Sequence, residues 1–131
     1  MGDAVTTNVV FSGNKRLVTH LTNVSDSTGE DGVVKVDISE LVGLTGAAPD
    51  SLVLEEIEWD VQGFTSVTLA WDADADDTMV VLSGNGYKDY RGHGGLKDPQ
   101  STGATGDVLL TTAGAAAGAT YDITAHFRLK G

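Results

Sequence analysis

Carboxylates are the residues of this chain best suited to do chemistry, and the densest group is Asp72, Asp74, Asp76 and Asp77. Oxygen-rich clusters of this kind suit calcium. The EF-hand pattern fails, however, because its glycine position, counted from Asp72, holds Asp77 and its glutamate position holds Ser83. Aspartate is also favoured in turns. We therefore predict an acidic β-turn here, and keep a weak cation site between subunits as the alternative.

A second acidic group lies on a strand-like segment, where Glu56, Glu58 and Asp60 alternate onto one face while Glu55 and Ile57 take the other. Paired carboxylates can hydrolyse glycosidic bonds. The segment lacks a companion aromatic platform, so a solvated strand face is the better interpretation.

Other catalytic patterns fail on spacing. The three histidines, His20, His93 and His126, are too far apart in sequence for a short metal-binding motif. No serine lies in a Gly-x-Ser-x-Gly turn. The dinucleotide-like run that begins at Gly84 has Asp89 where the third glycine should be. We predict no catalytic residue and no cofactor, and so a protein that is not an enzyme.

Composition narrows the class of partner. The 131 residues carry a formal net charge of -11, which opposes binding to phosphate-rich nucleic acid. There is no cysteine, so stability must come from packing, strand pairing or neighbouring subunits. Asp3 lies where a signal peptide would be basic, and no uncharged run is long enough to span a bilayer. These features predict a soluble, acidic domain that neither binds nucleic acid nor enters a membrane.

Short segments rich in β-branched and aromatic residues recur between Gly, Asp and Ser clusters, as in antiparallel sandwiches and barrels. They are Val9-Phe11, Lys15-Thr22, Val33-Ile38, Leu52-Val61, Ser66-Trp71, Thr78-Ser83, Asp107-Thr112 and Thr120-Leu129. We predict an all-β fold, an antiparallel β-sandwich or jelly-roll-like domain of about eight strands. It would occupy residues 13–131, with residues 1–12 as an N-terminal arm that reaches a neighbour.

Local patterns add detail to this prediction. Lys35 and Asp37 alternate with apolar residues at a period of two, which places them on the face opposite Val34 and Val36, and Gly13-Asn14 suits a hairpin turn. A single helical turn could follow Asp37. Trp59 and Trp71 fall on successive strands and are predicted to be core side chains.

The region from Ser83 to Gly106 is glycine-rich and contains Pro99, so we predict a long irregular loop. Long loops in compact domains often contact partners. The candidate contact residues are Tyr87, Tyr90, Arg91, His93 and Leu96.

The order of segments resembles that of small structural proteins from tailed-bacteriophage virions. The resemblance is carried by Val33-Leu41, Ile57-Gly63, Val67-Ala73, Gly92-Asp98, Thr105-Thr112 and Thr120-Thr124. These segments are spread over residues 33–124, which is most of the chain.

The resemblance implies a β-sandwich subunit that decorates or cements a capsid. Its partner would be the major capsid protein, and its own copies would associate, most often as a trimer. Such a protein is made in the host cytoplasm and resides on the capsid surface. Two alternatives stay open: another virion component, such as a head-fibre base, tail or adhesin part, and a carbohydrate-binding β-sandwich module that stacks sugars on Tyr87, Tyr90 or a tryptophan.

Overall fold

Two antiparallel β-sheets pack face to face in the computed structural model, which describes residues 4–12, 15–41, 51–99 and 102–130. The strands are β1 Ala4–Ser12, β2 Arg16–Asp26, β3 Val33–Val36, β4 Ser51–Gln62, β5 Ser66–Trp71, β6 Asp77–Leu82, β7 Asn85–Asp89, β8 Leu96–Lys97, β9 Val108–Ala113 and β10 Ala117–Lys130. The predicted all-β sandwich is confirmed. The described residues form ten strands rather than eight, because β7 and β8 lie within the expected loop.

The larger sheet has the order β1-β2-β10-β4-β7, with β8 also pairing with β4, and the smaller sheet has the order β3-β9-β5-β6. Strand β10 pairs with β2 on one side and β4 on the other. Its alternating residues follow the predicted period of two, so that Tyr121, Ile123, Ala125 and Phe127 are buried.

The core lies between the sheets. Trp71 from the smaller sheet meets Phe127 from the larger one edge-on, with ring centroids 6.4 Å apart. Trp71 is therefore the core residue that the sequence predicts. Trp59 is only half-buried and lies at the margin of the core.

Two β-bulges overturn the predicted facing of charged residues. The register between β3 and β9 shifts between Val34 and Val36, and this turns Lys35 inward, where 2% of its side chain is exposed. The register between β4 and β10 shifts beside Glu55. The Glu55 carboxylate consequently lies 3.6 Å from the Arg128 guanidinium instead of beside Ile57 in the core.

Glu30, in the loop between β2 and β3, joins the two sheets. Its backbone N–H donates to Thr112 Oγ1 (2.8 Å), and the Thr112 N–H donates to its carbonyl (2.9 Å). Its carboxylate accepts from Asn23 Nδ2 (2.9 Å) and the Tyr121 hydroxyl (2.6 Å), both on the larger sheet. Lys35 Nζ of the smaller sheet lies 2.6 Å from the other carboxylate oxygen.

The segment expected to form an N-terminal arm is, over residues 4–12, an edge strand of the chain's own sheet. Strand β1 pairs with β2 from Ala4 opposite Val24 to Ser12 opposite Leu17, with a register shift between Val9 and Phe11. Contact of this segment with a neighbouring subunit stays a prediction. The predicted Gly13-Asn14 turn lies outside the described residues.

The helices of the described residues are two 3-10 turns, Ile38–Glu40 and Arg91–His93. The first confirms the predicted single turn, and the Asp37 side chain caps it by accepting from the Ser39 N–H (3.0 Å). Within the described ranges, neither turn has the length or apolar character to cross a bilayer.

Replacing Lys35 with methionine leaves the Glu30 carboxylate buried without its cation, and we expect the free energy of unfolding to fall by about 3 kcal/mol. Urea unfolding measures this loss. Lys97→Met, at an exposed position on β8, is the matched control and should change stability by less than about 0.5 kcal/mol. Equal unfolding midpoints for the two variants would contradict the role given to the buried pair.

Candidate functional site

The glycine-rich region contains two strands of the larger sheet, so the expectation of an irregular loop from residue 83 to 106 is wrong. Strand β7 pairs antiparallel with β4, placing Tyr87 opposite Glu58 and Gly86 opposite Trp59. Strand β8 pairs with Val53 and Leu54 of β4. Of the contact residues predicted from the sequence, Tyr87 and Leu96 thus lie on strands, while Arg91 and His93 belong to the 3-10 turn between them.

Gly86 makes room for the Trp59 indole. A Cβ atom at residue 86 would lie 2.7 Å from Trp59 Cζ2, closer than carbon atoms can pack. The indole Nε1 donates to the Ser83 carbonyl at 3.0 Å, which fixes the ring between the edge strands β6 and β7. A residue with a side chain at position 86 would have to displace the ring and strain this hydrogen bond.

Four exposed or half-exposed side chains form a connected network on β4, on β7 and on the 3-10 turn that follows β7. The Tyr87 hydroxyl donates to Glu56 Oε2 at 2.9 Å, and Arg91 Nη1 lies 3.0 Å from Glu56 Oε1. The Arg91 guanidinium also donates to both Asp89 carboxylate oxygens, with Nε at 3.0 Å and Nη2 at 2.8 Å. Such bidentate pairing fixes the plane of the guanidinium. We call these four residues, Glu56, Tyr87, Asp89 and Arg91, the β7 network.

Hydrogen bonds and charges within the β7 network shift the pKa values of three of its members. Hydrogen bonds from the Arg91 side chain and backbone hold the pKa of Asp89 at about 2, below its usual 3.8. The bond to Asp89 in turn raises the pKa of Arg91. The hydrogen bond to the Glu56 carboxylate raises the pKa of Tyr87, since ionising the phenol would remove the donor.

Two of the other predicted contact residues lie beneath this surface. Tyr90 and Leu96 are half-buried and pack against the core, and burial raises the pKa of Tyr90. The backbone N–H of Tyr90 donates to the Glu55 carbonyl at 2.8 Å. His93 belongs to the second 3-10 turn, and its side chain lies outside the described part of the structure.

The structure therefore brings Tyr87 and Arg91 together and uses Tyr90 and Leu96 as support. Glu56 and Asp89 were missed as members of the site. The nearness of Asp89 to Arg91 in sequence gave a local signal, because an aspartate often accepts from the backbone N–H two residues on, as Asp89 Oδ1 does from the Arg91 N–H at 2.9 Å. Glu56 had no such signal, since its approach to Arg91 depends on the pairing of β4 with β7.

A groove of about 340 Å³ runs between the edge strands β6 and β7. Its lining residues are Trp59, Val80, Val81, Leu82, Ser83, Lys88 and Tyr90. The groove combines apolar walls, aromatic rings and one lysine, so it can accept an apolar side chain together with a polar group.

A shallower depression of about 370 Å³ lies on the outer face of the larger sheet. It is lined by Glu58, Trp59, Asp60, Asn85, Gly86, Asp122 and Thr124. His20 Nε2 lies 2.6 Å from Asp122 Oδ1 near this depression. The carboxylate and amide groups can accept hydrogen bonds from hydroxyl-rich ligands.

The aspartates of the candidate cation turn serve local hydrogen bonds. Asp72 Oδ2 accepts from the Thr105 hydroxyl at 2.8 Å, and Asp76 Oδ1 accepts from the Ala73 N–H at 3.2 Å. The Asp74 N–H donates to the Thr102 carbonyl at 3.0 Å. Within the described ranges, no three His, Asp or Glu side chains are grouped so that they could hold a metal ion.

Replacing Arg91 with methionine removes the donors that hold the Asp89 carboxylate ionised. We expect the pKa of Asp89 to rise from about 2 towards its usual 3.8. Carboxyl-carbon NMR titration of wild type and variant measures both values. Lys88→Met removes a neighbouring cation that makes no such bond and should leave the Asp89 titration at low pH; an unchanged Asp89 midpoint in Arg91→Met would refute the pairing.

Replacing Gly86 with alanine forces the Trp59 ring to move, and we expect a loss of about 1–3 kcal/mol in unfolding free energy. The indole N–H resonance of Trp59 should shift as its bond to Ser83 is strained. Gly92→Ala is the control, because a Cβ atom there meets nothing within 4 Å. Similar stabilities for the two variants would mean that the ring does not require Gly86.

The β7 network offers a partner a tyrosine and an arginine whose orientations are fixed by hydrogen bonds and ion pairs. Tyrosine and arginine are enriched at protein interfaces. This arrangement suits binding to another macromolecular surface. Comparisons of the chain with known protein families, with curated proteins and with solved structures find no match.

Proposed function

We propose that this protein is a structural component of a tailed-phage virion, which decorates or cements the capsid shell by binding the major capsid protein. The observation that carries the proposal is the β7 network, in which an exposed tyrosine is ordered by a hydrogen bond and an exposed arginine by ion pairs. Side chains fixed before binding lose less conformational entropy in a complex. The assignment to a phage particle comes from the resemblance of the chain's segments to virion proteins.

The charge of the chain is compatible with this role. At -11, the domain would be repelled by packaged DNA and would resist self-precipitation on the outer side of a shell. The absence of cysteine suits assembly in a reducing host cytoplasm.

The mechanism is mass action. A subunit that binds the assembled shell more tightly than free capsid subunits stabilises the assembled state. At a free concentration 100 times the dissociation constant, one bound site contributes about 2.7 kcal/mol. Because a particle has many such sites, their free-energy contributions add up and make disassembly of the shell strongly unfavourable.

A carbohydrate-binding module is the second candidate. It is favoured by the outer-face depression, whose carboxylate and amide groups lie beside Tyr87, itself 52% exposed. Sugars bind through hydrogen bonds from their hydroxyls and through stacking on aromatic rings. In that case the same surface would recognise a cell-surface glycan.

The test is co-sedimentation of the purified protein with capsids of the phage whose genome encodes it, prepared without the protein. We expect saturable binding, weakened at least tenfold by the double substitution Tyr87→Ala and Arg91→Ala, which corresponds to about 1.4 kcal/mol. Thr78→Ala, at an exposed position on β6, is the control and should bind as wild type.

Capsid binding that survives the double substitution would remove the β7 network from the contact. A wild-type protein that binds no capsid but binds immobilised glycans, with loss of that binding in Tyr87→Ala, would overturn the capsid role in favour of the carbohydrate-binding module.

A further inference from the structure

Strand β1 lacks the features that usually protect a sheet edge. Its sequence, AVTTNVVFS, contains no charged residue, proline or glycine, although the chain as a whole has a formal net charge of -11. It ends the larger sheet in the described residues. Natural sheets blunt such edges with charges, prolines or very short strands. The opposite edge, β7, is five residues long and carries Lys88 and Asp89.

Apolar side chains flank this edge on both faces of the sheet. Val5 lies opposite Asn23, whose side chain points into the sandwich, yet 44% of Val5 is exposed. Val24, on the outer face opposite Ala4, is 56% exposed. Solvent therefore reaches valines on both faces of the sheet beside β1, whose outer backbone pairs with no other strand of the described residues.

The neighbouring edge of the smaller sheet continues the apolar character. Glu30 contacts both Asn23 of β2 and Lys35 of β3, so β3 lies on the same side of the sandwich as β1. Val33 and Val34 of β3 are exposed. This side thus carries four of the six large apolar side chains that are exposed in the described residues.

We propose that β1 pairs antiparallel with β1 of a second copy of this chain, extending the larger sheet across a twofold axis. An uncharged strand offers neither charges nor a pocket to select a chemically different partner. An identical strand, however, brings no charged side chain of β1 against another and places threonine and valine side chains opposite one another. Cross-strand pairs of these types stabilise antiparallel sheets.

The charges at the ends of β2 favour the antiparallel orientation. Lys15 and Arg16 lie at one end, and Asp26 lies at the other. Antiparallel pairing sets the basic end of one copy beside the acidic end of its partner. The separation is about three strand spacings, or about 14 Å, so this attraction guides orientation more than it adds stability.

Backbone geometry fixes where the axis can lie. The N–H and C=O groups that face away from β2 alternate along the strand, so a symmetric pair must place its axis at a residue rather than between two. The register shift between Val9 and Phe11 limits the regular run to Ala4–Val9. The axis therefore passes at residue 6 or 7, both of which are exposed threonines.

The first test is the mass of the full chain in sedimentation equilibrium. We expect a dimer of the 13.6 kDa chain, and we expect Val5→Lys to weaken dimerisation at least tenfold, since an inward-facing charge at an edge blocks strand addition. Val81→Lys is the matched control, because Val81 is 62% exposed on the edge strand β6. Circular dichroism confirms that both variants fold.

Single cysteines give the second test, because the natural chain has none. Under mild oxidation, Thr6→Cys or Thr7→Cys should form a disulfide-linked dimer far faster than Thr78→Cys on β6. The proposal would be overturned if the wild-type protein had the mass of one copy, or of the three copies that the phage resemblance implies. It would also be overturned if all three cysteine variants cross-linked equally. A monomer that still binds capsids would reject this pairing alone and leave the proposed function standing.

Discussion

The sandwich depends on the burial of one carboxylate. Glu30 receives hydrogen bonds from Asn23 and Tyr121 on the larger sheet, contacts Lys35 on the smaller one, and pairs through its backbone with Thr112. A charge in so dry a place is tolerable only when all of its partners are present. Either the two sheets meet in this register or the carboxylate is left uncompensated, so the network selects one arrangement of the sheets.

Features of the fold that depend on residues close in sequence were predictable, whereas features that depend on the pairing of distant strands were not. Alternation is local, so the inward face of β10 was predictable from the period of two alone, although the strand begins at Ala117 and not at Thr120. The predicted bounds of β5, Ser66–Trp71, agree with the structure. Lys35 and Glu55 were assigned to the wrong faces because each lies at a bulge, and a bulge arises from the partner strand. When a strand contains one inserted residue, a period-of-two count assigns all residues beyond the insertion to the wrong face of the sheet.

Tyr87 and Arg91 were predicted as candidate contact residues, but the strands β7 and β8 in the region that contains them were missed. Glycine lowers strand propensity, so Gly84 and Gly86 made β7 look like a loop. The reason for Gly86 is its neighbour on β4, Trp59, which needs the space that a side chain would fill. Likewise, Glu56 joins Tyr87 only through strand pairing. The local sequence could suggest Tyr87 and Arg91 as candidates, but not which carboxylate of β4 contacts them.

The two edges of the larger sheet differ in how they could bind. At β1, main-chain hydrogen bonds and valines would provide the contact, whereas beside β7 a hydrogen bond already orients Tyr87 and ion pairs orient Arg91. Because these edges lie at opposite ends of one sheet, the two proposed contacts do not compete. A dimer formed through β1 would carry two β7 networks. Once one of them binds the shell, the other is held close to the same shell, and two weak contacts linked in this way bind far more tightly than either alone. A 131-residue chain without disulfides could in this way hold a shell by repetition instead of by one strong interface.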